Sequence, residues 1–346
     1  ILIIAVTSLI ALGGTTFGLE EETIAFYPIL IPIFIAAKYD AIVGLACIYV
    51  GTSIGTMVST SNPFSVIIAS NSAGIHWTTG IQGRIIMLIT GLFICVLYII
   101  RYAQRVKKDP TKSIIFDQKK QIEKIFSFEN STKKIDFTIR LKLVLIIFVL
   151  CFGIMIYGVI NLHWWFLEMT AVFFVGAILI GFLSRINESI FVEIFMKGAS
   201  DLLSVAFIIG LARGVTFLME DGLISDTLLF YASSYTEGMN EGFFINSIMF
   251  IYSGLSFFIP SSSGMAVLTM PIMSPLADTI SIGREHIVNA YLLGTGLFKF
   301  INPTGLILAS LAIIKVGYNK WLKFVIPLIL ILTLVSVIFL TVTVYS

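Results

Sequence analysis

Asn62-Pro63-Phe64-Ser65-Val66-Ile67-Ile68-Ala69-Ser70 recurs as Asn302-Pro303-Thr304-Gly305-Leu306-Ile307-Leu308-Ala309-Ser310. Five of the nine positions are identical, and Val66/Leu306 and Ile68/Leu308 are like for like. The correspondence extends upstream. Pro28 and Pro32 are four residues apart, as are Pro271 and Pro275, and Leu12 precedes Pro28 by sixteen residues as Leu255 precedes Pro271. Glycines crowd the approach to each Asn-Pro: Gly51 and Gly55 in the first copy, Gly294 and Gly296 in the second. The chain therefore carries two copies of a unit of roughly sixty residues. Each copy sets a helix breaker inside an apolar segment, because proline lacks a backbone donor and pushes the preceding residue out of the helical region. In lipid, broken backbone persists only where it is buried in protein or lines a cavity. Interrupted helices at corresponding places in two halves are the sequence pointer to a transporter's binding site.

Composition agrees. The chain of 346 residues is 58% hydrophobic and 12% charged, with a mean hydropathy of +1.00; a soluble domain carries about twice that charge. This is the profile of a polytopic membrane protein. Cys47, Cys95 and Cys151 all sit in apolar runs. Their spacing suggests no metal site, and their odd number argues against a disulfide framework. The first residue is Ile1, inside an apolar run, so a preceding segment of the natural chain is expected, and a signal peptide is not judged.

In chain order, 1–12 and 23–37 are apolar arms shorter than the ~20 residues of a full span, around the Gly-rich, acidic tip 13–22. They read as a re-entrant hairpin. The first interrupted helix is 41–72, broken around 57–63, and 82–100 is an uninterrupted span. The loop 101–142 holds twelve basic residues against five acidic ones and is cytoplasmic by the positive-inside rule; binding of nucleic acid or anionic lipid is the weaker reading of it. Spans follow at about 143–161, 169–184 and 200–218, with 187–199 read as a short amphipathic helix on the inner surface. Arms 243–259 and 265–278 enclose the second tip, 260–264. The second interrupted helix, 287–316, breaks around 299–304, and 322–344 is the final span. Counting crossings from the loop inverts one copy relative to the other and leaves the C-terminus outside. It puts eighteen basic residues inside and only Arg84 and Arg284 outside, which the crossings alone did not guarantee. The expected fold is thus an all-α polytopic inverted-repeat transporter with two re-entrant hairpins and two interrupted transmembrane helices. Residues 1–72 form a first repeat of the transport part, 73–240 the scaffold spans, 241–318 the second, inverted repeat, and 319–346 the final span.

Packed as an inverted pair, the two tips and two breaks converge. Free backbone groups at such ends favour anions at helix N-termini and cations at unwound carbonyls. Thr16, Ser61, Asn62, Ser261, Ser262, Ser263, Gly264, Asn302, Thr304 and Gly305 supply the polar lining, and Na⁺ is a candidate near Asn62 and Asn302. The bland alternative is that Asn-Pro only caps a broken helix. Glu20, Glu21 and Glu22 form the only acidic cluster in the expected core, with Glu21 and Glu22 taken as site residues. Ionisable groups at membrane depth are costly and point to function: they can bind a cationic substrate, bind Na⁺ or carry a proton, or else face a solvated vestibule. Lys299 can meet a substrate carboxylate, pair with a glutamate, or snorkel to the inner face. His76, His163 and His286 lie on loops or helix ends, unsuited to a metal site at membrane depth. Ser263-Gly264 superficially suggests a serine hydrolase, but no histidine lies within the membrane to act as its base, so the chain is not read as an enzyme. A channel, which also uses re-entrant loops, fits an inverted duplication within one chain less well than alternating access does.

Gly13-Gly14-x-x-Phe17-Gly18-Leu19-x-Glu21-Glu22, Asn62-Pro63-Phe64, Ser261-x-Ser263-Gly264-x-Ala266-x-Leu268-Thr269-Met270-Pro271-Ile272 and Pro303-Thr304 together resemble the YfcC family. Its members are relatives of the anaerobic C4-dicarboxylate carriers within the ion-transporter superfamily. The resemblance covers nearly the whole chain. It implies a homodimeric elevator-type carrier, with a scaffold and a mobile part holding both hairpins, and further N-terminal membrane segments in family members. Names in the family point to dicarboxylates, basic amino acids or arginine/ornithine exchange; Lys299 is not carried over from it. The resulting expectation is a secondary transporter of the inner (plasma) membrane for a small charged organic substrate. A basic amino acid such as arginine or ornithine comes first and a C4-dicarboxylate second, with no cofactor beyond Na⁺ or H⁺ as coupling ion and no nucleic acid partner.

Overall fold

The computed structural model describes residues 1–126, 138–162, 164, 166–224, 227, 230–231, 234 and 238–345. His163 and part of the basic loop, including Lys133 and Lys134, lie outside the described residues. Every regular element described is helical. In chain order these are α1 (Leu2–Phe17), α2 (Tyr27–Ala36), α3 (Ala41–Met57), α4 (Ile68–Ser72), α5 (Ile81–Lys108), α6 (Lys119–Phe126), α7 (Ile139–Leu162), α8 (Phe166–Ser184), α9 (Glu188–Asp221), α10 (Glu241–Phe258), α11 (Ser262–Thr279), α12 (Arg284–Lys299), α13 (Ile307–Ile314) and α14 (Tyr318–Val344). Among the described residues, Ile81–Lys108, Leu167–Ser184, Glu241–Phe258 and Tyr318–Val344 are long and apolar enough to cross a membrane. By packing, the chain divides into one unit of Ile1–Ser127 with Val205–Ser346 and another of Phe128–Ser204.

The larger unit is built around α3. Asp40 Oδ1 caps its start by accepting from the Val43 backbone N–H at 3.0 Å, and every residue from Ala41 to Met57 is buried. A helix apolar or small on all sides belongs in a core. α12 is its counterpart, buried from Ile287 to Leu297. The two meet closely at Gly296, where a Cβ would stand 2.3 Å from Met57 Cβ; no larger residue fits there. α1 lies along α3, and α10 lies along α12. The remaining packing is reciprocal: α11 packs on α4, and α2 packs on α13. Thus α2 rests on the short helix after the second Asn-Pro, and α11 rests on the short helix after the first. The backbone repeats this relation. Lys38 (φ 65°) and Ser281 (φ 60°) each adopt the left-handed conformation three residues before a central helix, and Gly74 (φ 72°) and Lys315 (φ 58°) adopt it just after α4 and α13.

The smaller unit contains α7, α8 and the start of α9. They surround an apolar cavity of about 390 Å³ lined by residues such as Phe148, Cys151, Phe173 and Phe191.

Three boundaries differ from the sequence reading. The expected surface helix 187–199 and span 200–218 are one continuous helix, α9, of 34 residues. Nothing in Gly198-Ala199-Ser200 stops it, since a single helical glycine costs only ~1 kcal/mol. α1 runs through Gly13-Gly14 to Phe17 rather than ending at 12, so the first tip narrows to Gly18–Glu20 and the 3-10 turn Glu21–Phe26. α10, expected as a short arm, has 18 residues and by length can cross a membrane.

Candidate functional site

The first break lies between α3 and α4. Past Met57 the chain unwinds and re-enters helix through a π-helical turn at Pro63–Ile67, as a proline lacking its N–H dictates. Asn62 holds this geometry at both ends of its amide. Its Oδ1 accepts from the Phe64 N–H at 2.8 Å, and its Nδ2 donates to Gly14 O at 3.4 Å. The unwound segment is also laced to the end of α1. Thr15 Oγ1 donates to Val58 O at 2.8 Å, the Thr60 N–H donates to Thr15 Oγ1 at 3.0 Å, and the Thr60 and Ser61 N–H groups donate to Thr15 O, both at 3.1 Å. Ser61 Oγ donates to Thr16 O at 3.2 Å. Ser59 and Ser65 are buried and hydrogen-bonded to each other at 2.9 Å. Broken backbone must find partners where water is scarce, and here it finds them on the last turn of α1.

The second break, between α12 and α13, repeats the device. Asn302 Oδ1 accepts from the Thr304 N–H at 3.0 Å and from Thr304 Oγ1 at 2.7 Å, while Nδ2 donates to Ser256 O near the end of α10 at 2.9 Å. The Gly305 N–H donates to Asn302 O at 3.0 Å. Unlike the first break, its unwound carbonyls are closed by long side chains from elsewhere. Tyr49 Oη donates to Lys299 O at 2.9 Å, Trp321 Nε1 to Phe300 O at 2.8 Å, and Tyr318 Oη to Ile301 O.

Among the described residues, one ion pair joins the first tip to the second break. Lys299 Nζ, on the last residue of α12, donates to Glu20 Oε2 at 2.8 Å; the two side chains are 15% and 27% exposed. Glu22 Oε2 accepts from the Glu20 N–H at 3.2 Å, and Glu21 is exposed. Of the roles open to Lys299, the structure presents pairing with a glutamate. The glutamate is Glu20, which the sequence reading left out of the site in favour of Glu21 and Glu22.

The other expected residues fall as follows. Thr16 Oγ1 turns back onto Leu12 O at 2.6 Å, within its own helix. The buried Thr15 is the residue that bridges to the break, and an adjacent pair of threonines gave no means of choosing between them. At the second tip Ser261 Oγ caps α11 by accepting from the Gly264 N–H at 3.2 Å and lies 3.4 Å from Ser263 Oγ. Ser262 O accepts from Tyr291 Oη on α12 at 2.7 Å. Among the described residues no group of three or more His, Cys, Asp or Glu side chains could hold a metal ion.

Helices broken at matched places in two halves let a membrane protein hold a solute without baring its backbone to lipid. With four helices able to cross a bilayer, this is the architecture of a multi-pass membrane transporter. The chain belongs to the DcuC family: the family's profile, described as C4-dicarboxylate anaerobic carrier, matches residues 1–345. It is 44% identical over 345 residues to an uncharacterized protein of Haemophilus influenzae, covering 99% of this chain and 68% of that one. It is 30% identical over 328 residues to the Escherichia coli K12 protein named "Putative basic amino acid antiporter YfcC", covering 91% of this chain and 64% of that one. It thus spans about two thirds of each relative's length. Among solved structures, the Alcanivorax borkumensis YdaH transporter superposes with a TM-score of 0.49 at 13% identity, over 99% of this chain and 78% of that one.

Proposed function

We propose that the chain forms the transport core of a secondary carrier that moves a small basic amino acid, such as arginine or ornithine, by alternating access. One observation carries this reading: three consecutive carboxylates, Glu20, Glu21 and Glu22, stand at the first tip, and Lys299 from the second break pairs with one of them, Glu20. The carboxylates left over suit a guanidinium or ammonium, because a cation leaving water for the site needs a carboxylate partner there. The name of the YfcC relative agrees with this substrate class.

The reciprocal packing of α2 on α13 and α11 on α4 supports reading the copies as an inverted pair with two re-entrant hairpins. The basic loop supports a cytoplasmic face for 101–142 and an outer C-terminus, in the inner membrane. The polar lining is Thr16, Ser61, Asn62, Ser261, Ser262, Ser263, Gly264, Asn302, Thr304 and Gly305. A Na⁺ coupling ion fits near Asn62 better than near Asn302, because donors already occupy the carbonyls of 299–301; H⁺ is the other candidate. The homodimer follows from the family resemblance.

A C4-dicarboxylate is the second reading, favoured by the family's description and by Lys299 as a carboxylate partner. Counterflow into proteoliposomes decides between them. Saturable exchange of labelled arginine or ornithine supports the first reading. Exchange of a dicarboxylate alone replaces it with the second, and flux that neither saturates nor shows counterflow indicates a channel.

A further inference from the structure

We infer that Lys299 is the site's own counter-cation: its ammonium neutralises Glu20 while the site is empty, gives way to the cationic substrate, and so lets the unloaded carrier return across the membrane. The inference rests on the proposed basic substrate and goes on to assign what the unloaded site does.

Three features of the second break converge on this role. Lys299 Nζ and Glu20 Oε2 are 2.8 Å apart, joining residues 279 positions apart in sequence across the boundary between the copies. The Lys299 backbone is fixed, since its carbonyl accepts from Tyr49 Oη, so the ammonium can leave Glu20 without the helix end moving. The carbonyls of 299–301 each already accept a side-chain donor, from Tyr49, Trp321 and Tyr318, which leaves each with one lone pair rather than two. The cation that the structure places at this break is Lys299.

The consequence follows from the cost of charge at membrane depth. A carboxylate that loses its only partner resists transfer into a less solvated position. With substrate bound, a guanidinium or ammonium supplies the partner. With the site empty, Lys299 supplies it. Both forms then present Glu20 paired, and both can change sides. Without Lys299 only the loaded form can do so, and the carrier becomes an obligate exchanger.

The test compares two fluxes of labelled arginine or ornithine in proteoliposomes: net uptake into vesicles lacking internal substrate, and exchange against internal unlabelled substrate. Wild type should perform both. In Lys299→Met the ratio of net uptake to exchange should fall about 50-fold or more, the rate equivalent of an unpaired charge at membrane depth. Lys299→Arg should restore the ratio. A Lys299→Met protein inactive in both fluxes is judged by binding of labelled arginine or ornithine to the purified protein: binding at least as tight as wild type supports competition between Lys299 and the substrate for Glu20, and loss of binding overturns it. A wild-type ratio in Lys299→Met also overturns the inference, as does a wild type that exchanges but takes up nothing net; in both cases the proposed function stands. A wild type with no flux of either amino acid overturns the proposed function and this inference with it.

Discussion

Gly18 and Asn62 are in contact so close that a Cβ on Gly18 would lie 2.7 Å from Asn62 Oδ1. Gly18 also ends α1 in the left-handed conformation, at φ +79°. Tip and break are thus fitted at a point where only glycine serves. Gly18→Ala should lose ~1–3 kcal/mol, combining the left-handed penalty with displacement of the Asn62 amide. Thermal unfolding of the purified protein should show a lower midpoint. An unchanged midpoint with unchanged transport would mean the contact is looser than the geometry requires.

Each break asparagine both caps and cross-links. Asn62→Ala strips the Phe64 N–H and Gly14 O of their partner; Asn302→Ala does the same to the Thr304 N–H and Ser256 O. Buried groups left unpaired cost ~1–3 kcal/mol each, so both variants should unfold earlier and transport poorly. Near-normal uptake by either would show that its break holds without the side chain. The capping alternative raised by the sequence is in this sense part of the observed role: the side chains shape the site's backbone.

Trp321 should separate packing from hydrogen bonding. Its ring is fully buried edge-on to Tyr49, with centroids 5.7 Å apart, and its Nε1 closes Phe300 O. Trp321→Phe keeps an aromatic ring and loses the donor. Stability should fall by ~1–2 kcal/mol, and a midpoint equal to wild type would mean that another donor reaches the carbonyl.

The sequence made the breaks legible because proline and asparagine act locally, on the backbone of their own and adjacent residues. It marked 41–72 and 287–316 as interrupted helices, but that α3 and α12 form the buried centre came from the packing, with Ala41 to Met57 and Ile287 to Leu297 all buried. It could not say which of Glu20, Glu21 and Glu22 meets Lys299. Consecutive residues in a helical turn point roughly 100–120° apart, and the direction depends on how the turn is docked. Thr15 and Thr16 are ambiguous for the same reason. Tyr49, Trp321 and Tyr318 carry no motif at all; they converge on the carbonyls of 299–301 only because α3 and α14 pass beside the break. The sequence of α9 reads as two pieces because a charged stripe at 188–197 resembles a surface helix, although nothing in the chain breaks it there.

Asp40, in the connection between α2 and α3, gives a pH test of known sign. It is buried, at 3% exposure, and besides capping α3 it accepts from Ser113 Oγ at 2.6 Å and from Tyr102 Oη at 2.8 Å. Burial raises its carboxyl above the usual range despite these donors. A group whose folded value is raised contributes stability below its unfolded value, lost as pH rises through the folded one. Asp40→Asn keeps the cap and removes the titration. Wild type should therefore lose stability relative to Asp40→Asn as pH rises above about 4, the carboxyl's unfolded value, while Asp40→Ala should be weaker than either by ~1 kcal/mol through loss of the cap. A wild-type-minus-Asn difference that is flat, or that grows with pH, would contradict the assignment.

The sign of the substrate should be set at the first tip, and the two remaining glutamates should differ in how they matter. Glu22 Oε2 accepts from the Glu20 N–H, so it shapes the turn that carries the cluster. Glu21 is exposed and available to a cation entering the site. Glu21→Gln should leave the unfolding midpoint within ~0.5 kcal/mol of wild type. It should also raise KM for arginine or ornithine about 10-fold or more, the loss expected for one hydrogen bond to a charged group. Glu22→Gln retains an acceptor and should be milder in stability than Glu22→Ala, which frees the turn. If Glu21 instead carries the coupling proton, Glu21→Gln should keep exchange and lose only proton-driven accumulation. Normal transport of a dicarboxylate by the Gln variants, with no arginine or ornithine flux in wild type, would transfer the recognition role to Lys299 and make the carboxylates its counter-ions.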